Sequence, residues 1–303
     1  MKDGGRIHAA AAIGLAAAVC VFFLLTVREG HDWGGDFSMY IHHAKNIAEG
    51  KDYNDTGYIP NPDYLLLGPR SYPPVFPLIL VPAYRVCGMD VICMKREIVV
   101  VFFFALLAAY AVYRKYLSGW YAVTALGVSA LNPVFWDYKD QVLSDTTFML
   151  FCMAALLVLA RDDPPGAQGG AAGDRPSTAA GMGSRKAGSP AGRSGVMSAA
   201  AAGLLIYLAY GTRSVGAVLV PVCFLYDYIK HGRLTRMPFI AAAAFAIPAI
   251  VQNVLIPSKG IYLDQFGVNP LAFLDNISRY PRALAELWHN GRVSVLGYAA
   301  VSY

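Results

Sequence analysis

Two short acidic segments hold the residue types best suited to chemistry in this chain. One is Gly35-Asp36-Phe37-Ser38-Met39-Tyr40, which follows an apolar run near the N-terminus. The other is Asp140 with Leu143-Ser144-Asp145, which follows a later apolar run. A carboxylate at the edge of an oily protein is costly to hold unless it has water, partners or a task. Two such clusters on one side of a membrane would make an active site at the bilayer surface. Around them stand Lys139, Arg70, Arg213 between two apolar runs, and tyrosines including Tyr40, Tyr53, Tyr58, Tyr64 and Tyr72. Each also has a structural reading. Asp36 could cap a helix, and so could Asp145 through Ser144-Asp145-Thr146-Thr147. Lys139 and Arg70 could anchor among lipid headgroups, and the tyrosines could form an interfacial belt. His42 and His43 are adjacent, so on a helix they point different ways and suit a surface role better than a shared metal.

The elements that must position these residues belong to a membrane. The 303 residues are 56% hydrophobic and 15% charged, with a mean hydropathy of +0.43. A soluble domain carries about 25% charge, so the composition predicts an all-α, polytopic membrane protein. The net charge of +5 does not point to nucleic acid, because Lys and Arg sit beside the apolar runs, as the positive-inside bias produces. Cys20, Cys152 and Cys223 lie within apolar runs, where a thiol acts as a small hydrophobe. Cys87 and Cys93 give neither a zinc nor a disulfide signature.

His8–Val27 is an uncharged run of about 20 residues, long enough to span and without a small-residue cleavage site, so it reads as a retained anchor. Six further segments read as spans: about Glu97–Tyr113, Gly119–Phe135, Thr146–Ala160, Val196–Gly211, Val215–Ile229 and Pro238–Ile256. Pro73–Cys87 is apolar too, but its roughly 14-residue length and its prolines suit an interfacial or re-entrant element better. Topology supports that choice. If Pro73–Cys87 does not cross, Arg114-Lys115, 161–195 and Lys230–Arg236 fall in the cytoplasm; if it does, these basic loops move outside. The positive-inside rule therefore favours seven spans, with Asp36, Asp140, Asp145 and Arg213 on the outer face.

Residues 1–160 then form an N-terminal membrane module with a large outer first loop carrying juxtamembrane helices. Residues 161–195, rich in Gly, Ala, Ser and Pro, read as a disordered cytoplasmic linker. Further spans fill 196–256. Residues 257–303 form an outer segment whose apolar end reads as the start of an eighth span, so the sequence is expected to continue.

Within the first loop, Tyr40, Ala44, Ile47 and Ala48 share a helical face behind Asp36. The same loop contains Ala44-x-x-x-Ala48-x-Gly50-x-x-Tyr53 and Tyr72-Pro73-Pro74-x-x-Pro77-Leu78. With an acid shortly after the first span, these segments resemble the GT-C superfamily of membrane glycosyltransferases, within it the dolichyl-phosphate-mannose–protein mannosyltransferase and aminoarabinose-transferase-like group. Lys139-Asp140-Gln141-Val142-Leu143-Ser144-Asp145 is similar to that family's second outer loop, and Thr212-Arg213-Ser214-Val215-Gly216 resembles its Thr-Arg-x-x-Gly turn. The match runs from about Ile7 to Ile256. It departs from the family in having a lone Asp36 where many members have an acidic pair, and in lacking the C-terminal spans.

The resemblance implies an integral protein of a bacterial inner (plasma) membrane. It would move a sugar from a polyprenyl-phosphate donor to a lipid, glycan or protein acceptor at the outer face, with inversion at the anomeric carbon. Inversion needs a carboxylate to take the acceptor's proton, and cations to stabilise the departing lipid phosphate. On this reading Asp36 is the base. Asp140 and Asp145 orient cations or acceptor, or hold a divalent metal, the one cofactor left open. Arg213, Lys139 and Arg70 are the donor-phosphate ligands, Arg being suited to bidentate contact. Tyr40, Tyr53 and Tyr72 contact sugar or acceptor. Two rivals remain: a transporter gated by acidic loops, which should carry ionisable groups deep in its spans, and a non-catalytic, truncated relative that binds lipid.

Overall fold

The apolar runs fold as helices, and no strand occurs among the described residues. The computed structural model of the protein describes residues 2–31, 35–57, 71–161 and 193–256. Arg70, Tyr58, Tyr64, nearly all of the linker and the 257–303 segment lie outside the described residues. The helices are α1 (Lys2–Leu25), α2 (Phe37–Glu49), α3 (Val75–Cys87), α4 (Val91–Tyr116), α5 (Gly119–Ala130), α6 (Pro133–Tyr138), α7 (Asp145–Leu159), α8 (Arg193–Thr212), α9 (Leu219–His231) and α10 (Met237–Leu255), with a 3-10 turn over Ser214–Val218 before α9.

Three helices are long and apolar enough to cross a membrane: Gly4–Leu25 within α1, Gly195–Thr212 within α8, and Met237–Leu255, which is α10. The seven crossings expected from the sequence are therefore not matched by seven helices of spanning length. The reason is geometric. At a rise of 1.5 Å per residue, a helix of 12–15 residues covers roughly 20 Å of a hydrocarbon core about 30 Å thick. That is the size of α5 (12 residues), α9 (13) and α7 (15). The uncharged stretch of α4, from Ile98 to Tyr113, is bounded by Lys95, Arg96 and Glu97 on one side and Arg114 and Lys115 on the other. The expected Gly119–Phe135 span is broken: Asn132 accepts from the Val134 backbone N–H at 2.9 Å and Pro133 opens the next helix. An Asn cap with proline at the first helical position is a strong start signal.

The chain divides into two compact units. The first comprises Leu15–Phe103, Gly127–Thr146 and Asn253–Tyr303, and is called the loop unit. The second comprises Met1–Gly14, Phe104–Leu126 and Thr147–Gln252, and is called the helical unit.

In the loop unit α2 and α3 pack face to face. The apolar spacing of α2 buries Tyr40, Ile41 and Ala44, and α3 answers with Phe76, Leu80 and Ala83. Fully burying a Phe, Leu or Ile contributes about 1.5–3 kcal/mol each, enough to hold two short helices that would be marginal alone. Gly50 ends α2 in the left-handed region (φ 66°), its N–H turned back to the Ile47 carbonyl, a conformation that favours glycine. After α3 the chain reverses through Gly88–Asp90, and a Cys87–Cys93 disulfide closes the reversal. This corrects the sequence expectation that these two cysteines are unpaired.

In the helical unit Ala155, Ile206, Ala209, Leu219, Cys223 and Ala241 form the core. Gly203 lets α8 and α10 meet: a β-carbon there would lie 2.1 Å from the Ala241 carbonyl oxygen.

Candidate functional site

The loop unit gathers both acidic segments. Asp36 occupies the N-cap position of α2, yet its carboxylate makes no capping hydrogen bond. Instead Oδ1 accepts from the Tyr72 hydroxyl at 2.5 Å. Tyr72 lies just before α3 and is buried, its ring edge-on to Tyr40 at 4.9 Å between centroids. The Tyr40 hydroxyl in turn shares a hydrogen bond with Ser144 Oγ at 3.3 Å. Ser144 is buried and directly precedes Asp145, the first residue of α7, where the helix dipole favours a negative charge. The path Asp36–Tyr72–Tyr40–Ser144 thus links the first loop to Leu-Ser-Asp. It does so across 104 residues of sequence at its longest step.

Tyr72 is itself held from behind. The His43 Nδ1–H donates to the Tyr53 carbonyl at 2.8 Å, while Nε2 accepts from the Tyr72 backbone N–H at 3.4 Å. Both ring nitrogens are engaged by groups that fix one neutral tautomer. Burial then pushes the His43 pKa down to about 4, against the lesser upward pull of the Tyr53 carbonyl. The imidazole also stacks on Tyr53 at 4.0 Å, and the Tyr53 hydroxyl donates to the Tyr72 carbonyl at 2.8 Å. Tyr40, Tyr53 and Tyr72 therefore form a hydrogen-bonded shelf beneath the Asp36 carboxylate. Burial raises the Tyr53 pKa, so its hydroxyl stays protonated as a donor.

Asp140 has a different setting. Its Oδ1 accepts from the Arg28 backbone N–H at 2.7 Å, and its Oδ2 accepts from Arg28 Nε at 2.7 Å and Lys139 Nζ at 2.5 Å. Burial opposes its charge, but the hydrogen bonds from Lys139 and Arg28 outweigh that effect and hold its carboxyl below the usual range. Lys139 is fully buried. Its ammonium donates to the Thr26 carbonyl at 2.8 Å and lies 4.1 Å over the Trp136 ring. Lys95, also fully buried, donates to the carbonyls of Arg28 (2.9 Å) and Gly30. A helix end leaves unbonded carbonyls that favour nearby cations, and two ammonium groups meet that need just past the end of α1. Val142 N–H donates to His31 Nε2 at 2.8 Å, and the His31 ring stacks on Phe37 at 3.8 Å, tying this knot to the start of α2.

Arg28, Lys95 and His31 are residues of this arrangement that the sequence reading did not single out; Ser144 entered it only as part of Leu-Ser-Asp, and His43, expected at the surface, is fully buried. Apart from the ten-position His43–Tyr53 bond, the hydrogen bonds of these five residues bridge 29 to 112 positions of chain, so no local spacing announces them. Arg28 remains 63% exposed with Nε committed to Asp140.

Arg213 belongs to the helical unit. Its backbone is extended (φ −145°) between α8 and the 3-10 turn, and its carbonyl accepts from the Gly216 N–H at 2.8 Å. Gly216 is required by close approach: a β-carbon would sit 2.5 Å from the Tyr210 backbone nitrogen. Among the described residues no three His, Cys, Asp or Glu side chains gather as a metal site, so Asp36, Asp140 and Asp145 do not form a shared cage.

No protein-family model matches the chain, and no curated protein sequence matches it. Only a general class is therefore established: among the described residues the regular structure is helical throughout, with three helices long and apolar enough to cross a membrane. The loop unit itself offers a half-buried carboxylate held by a tyrosine hydroxyl and, separately, an exposed arginine paired with Asp140. Such a carboxylate can accept a proton, and an exposed guanidinium can receive a phosphate; the rings of Tyr40, Tyr53 and Tyr72 are packed against one another, Phe76 and His43 and position the carboxylate.

Proposed function

We propose that this protein is a membrane glycosyltransferase that moves a sugar from a polyprenyl-phosphate donor to an acceptor hydroxyl at the membrane surface. The observation that supports this reading most is the joining of Asp36, through Tyr72 and Tyr40, to Ser144 of the Leu-Ser-Asp segment within one unit. In this reading the acceptor oxygen attacks the anomeric carbon from the face opposite the phosphate. The bond from that carbon to the phosphate oxygen breaks, its electron pair leaves with the lipid phosphate, and the acceptor's proton passes to Asp36. The Tyr72 hydroxyl holds Oδ1, so Oδ2 takes the proton. Arg28 faces the departing phosphate.

The reading carries seven crossings: α1, α8 and α10, the 26-residue α4, α5 and α6 together as one, and the shorter α7 and α9. It puts the segments that carry Asp36 and Asp140 outside. The Cys87–Cys93 disulfide supports that side, because such bonds persist in oxidising compartments.

The test is to incubate the purified full-length protein in lipid nanodiscs with radiolabelled polyprenyl-phosphate sugars and an acceptor extract, and to follow loss of lipid-linked label. Asp36→Asn keeps the side chain's size but removes the proton acceptor, and should lower turnover by about 10²–10⁴-fold with donor binding little changed. No loss of label from any sugar, or normal turnover in Asp36→Asn, overturns the assignment.

A further inference from the structure

The disulfide that closes the reversal between α3 and α4 has two unlike ends. Around Cys87 the chain is open: Val86, Gly88, Met89 and Asp90 are all exposed, Val86 by 84%. Cys93 faces inward. It packs against the buried cluster of α2 and α3, beside the fully buried Met94, and its Sγ lies 4.0 Å from the Ala83 carbonyl oxygen. Exposed disulfides are the labile ones, open to exchange with other thiols. Nor does the bond alone hold the corner. Stabilisation by a disulfide grows with the length of chain it closes, and this one joins residues six apart. The reversal has other fastenings: the Gly88 N–H donates to the Tyr84 carbonyl at 2.7 Å, Asp90 Oδ1 accepts from the Ile92 N–H at 2.8 Å, and Met94 and Ile98 are buried in the cluster.

We propose that Cys87–Cys93 is a thiol–disulfide exchange site whose co-reactant is a dithiol, with Cys87 the sulfur attacked and Cys93 the sulfur that leaves. A thiolate of the dithiol attacks Cys87 Sγ. The bond between the two protein sulfurs breaks, its electron pair goes to Cys93 Sγ, and that sulfur takes up a proton. The Ala83 carbonyl then stands ready to accept from the new S–H. Glu97, one turn further along α4 and on the same face, also meets the Ala83 backbone; its Oε2 is buried without a hydrogen-bond partner, and the carboxyl can supply the proton. The dithiol's second thiolate next attacks its own sulfur in the mixed disulfide and releases Cys87 as a thiolate, which water protonates. The protein gains two electrons and two protons, and the dithiol leaves as a disulfide. Opening the bond unties the end of α3 from the turn of α4 that carries Lys95, which holds the carbonyls of Arg28 and Gly30. The thiol poise around the protein thus bears on that clamp. The inference does not depend on the glycosyltransferase assignment.

The test equilibrates full-length protein in lipid nanodiscs with graded ratios of reduced to oxidised dithiothreitol. Free thiols are blocked with a maleimide and located by mass in proteolytic peptides. Cys87 and Cys93 should become free together within minutes and without denaturant, the far-ultraviolet helical signal should be kept, and the pair should re-form when the ratio is reversed. A bond that opens only in denaturant, or whose opening unfolds the protein, is a permanent staple and overturns the proposal. The direction of attack is read from single variants treated with oxidised glutathione. Cys87 in Cys93→Ser should form the mixed disulfide several-fold faster than Cys93 in Cys87→Ser. Equal rates, or the reverse order, overturn the assignment of Cys87 as the sulfur attacked.

Discussion

In the loop unit, neighbouring side chains are fixed by directed bonds: Tyr72 to Asp36, Tyr40 to Ser144, His43 to Tyr53, Lys139 to Thr26 and Asp140. In the helical unit, α8 and α10 meet where side-chain atoms are missing, at Gly203 against Ala241 and Ala244. The first kind of contact fixes the position and protonation of particular atoms. The second fixes only how near two backbones lie. Catalysis needs its groups held to a fraction of an ångström by supporting hydrogen bonds, and the loop unit has that construction. The contrast also assigns each unit its own vulnerability: charge and pH for one, volume for the other.

The sharpest way to break the comparison is Lys139→Met. The substitution keeps the length of the side chain but takes a buried cation from Asp140 and the Thr26 carbonyl. Removing one partner of a buried ion pair costs about 3–5 kcal/mol. Because Arg28 still holds Asp140, the loss should lie near 3 kcal/mol, seen as a lower thermal midpoint for the loop unit. An unchanged midpoint would mean that the knot beyond α1 carries no stability.

His43 gives the next effect, with a definite sign. Its folded pKa of about 4 lies below the unfolded value of 6.5, so between these values the unfolded chain binds more protons. The stability from neutral His43 is therefore fully present above pH 6.5 and is lost as pH falls towards 4. About 2.5 units at 1.36 kcal/mol each gives ~3 kcal/mol. Thermal midpoints measured from pH 7 to pH 4 should fall along this curve and flatten in His43→Gln. An equal fall in that variant would assign the acid sensitivity elsewhere.

Much of this was legible beforehand, and the exceptions share a cause. The run His8–Val27 announced α1, and the face shared by Tyr40, Ala44 and Ile47 announced α2, because helical periodicity is local. Pro73–Cys87 was legible as an apolar segment of about one short helix, and α3 has 13 residues. The break at Asn132-Pro133 was also written locally, as a cap followed by proline, and was concealed by the apolar residues around it. The Cys87–Cys93 bond depends on a chain reversal that six residues of spacing only permit. Lys139 resembled an interfacial charge and Lys95 drew no notice, because their partners are backbone carbonyls far away in sequence, and a carbonyl has no residue type to recognise. The spacing of Asp140 and Asp145 was visible, but the use of Asp140 as the partner of Arg28 was not.

The smallest expected effect sharpens the other half of the comparison. Gly203→Ala puts one carbon where the Ala241 carbonyl already lies, and overpacking of this kind costs about 1–3 kcal/mol. The helical unit's midpoint should fall by the same amount at pH 7 and pH 5, since no titrating group is involved. A pH-dependent loss would show that the two units are not separately governed.

The lysines beyond α1 also set an order of events during synthesis. The carbonyls of Arg28 and Gly30 wait for Lys95, made 67 and 65 residues later, and that of Thr26 waits for Lys139, made 113 residues later. At about 5–20 residues per second, the ribosome needs on the order of 10 s to deliver the second lysine. Through that interval the first loop is already made while part of its polar support is still being translated. The Tyr40 hydroxyl likewise lacks Ser144, made 104 residues later, so a chain stalled before Lys139 should present that loop to proteases.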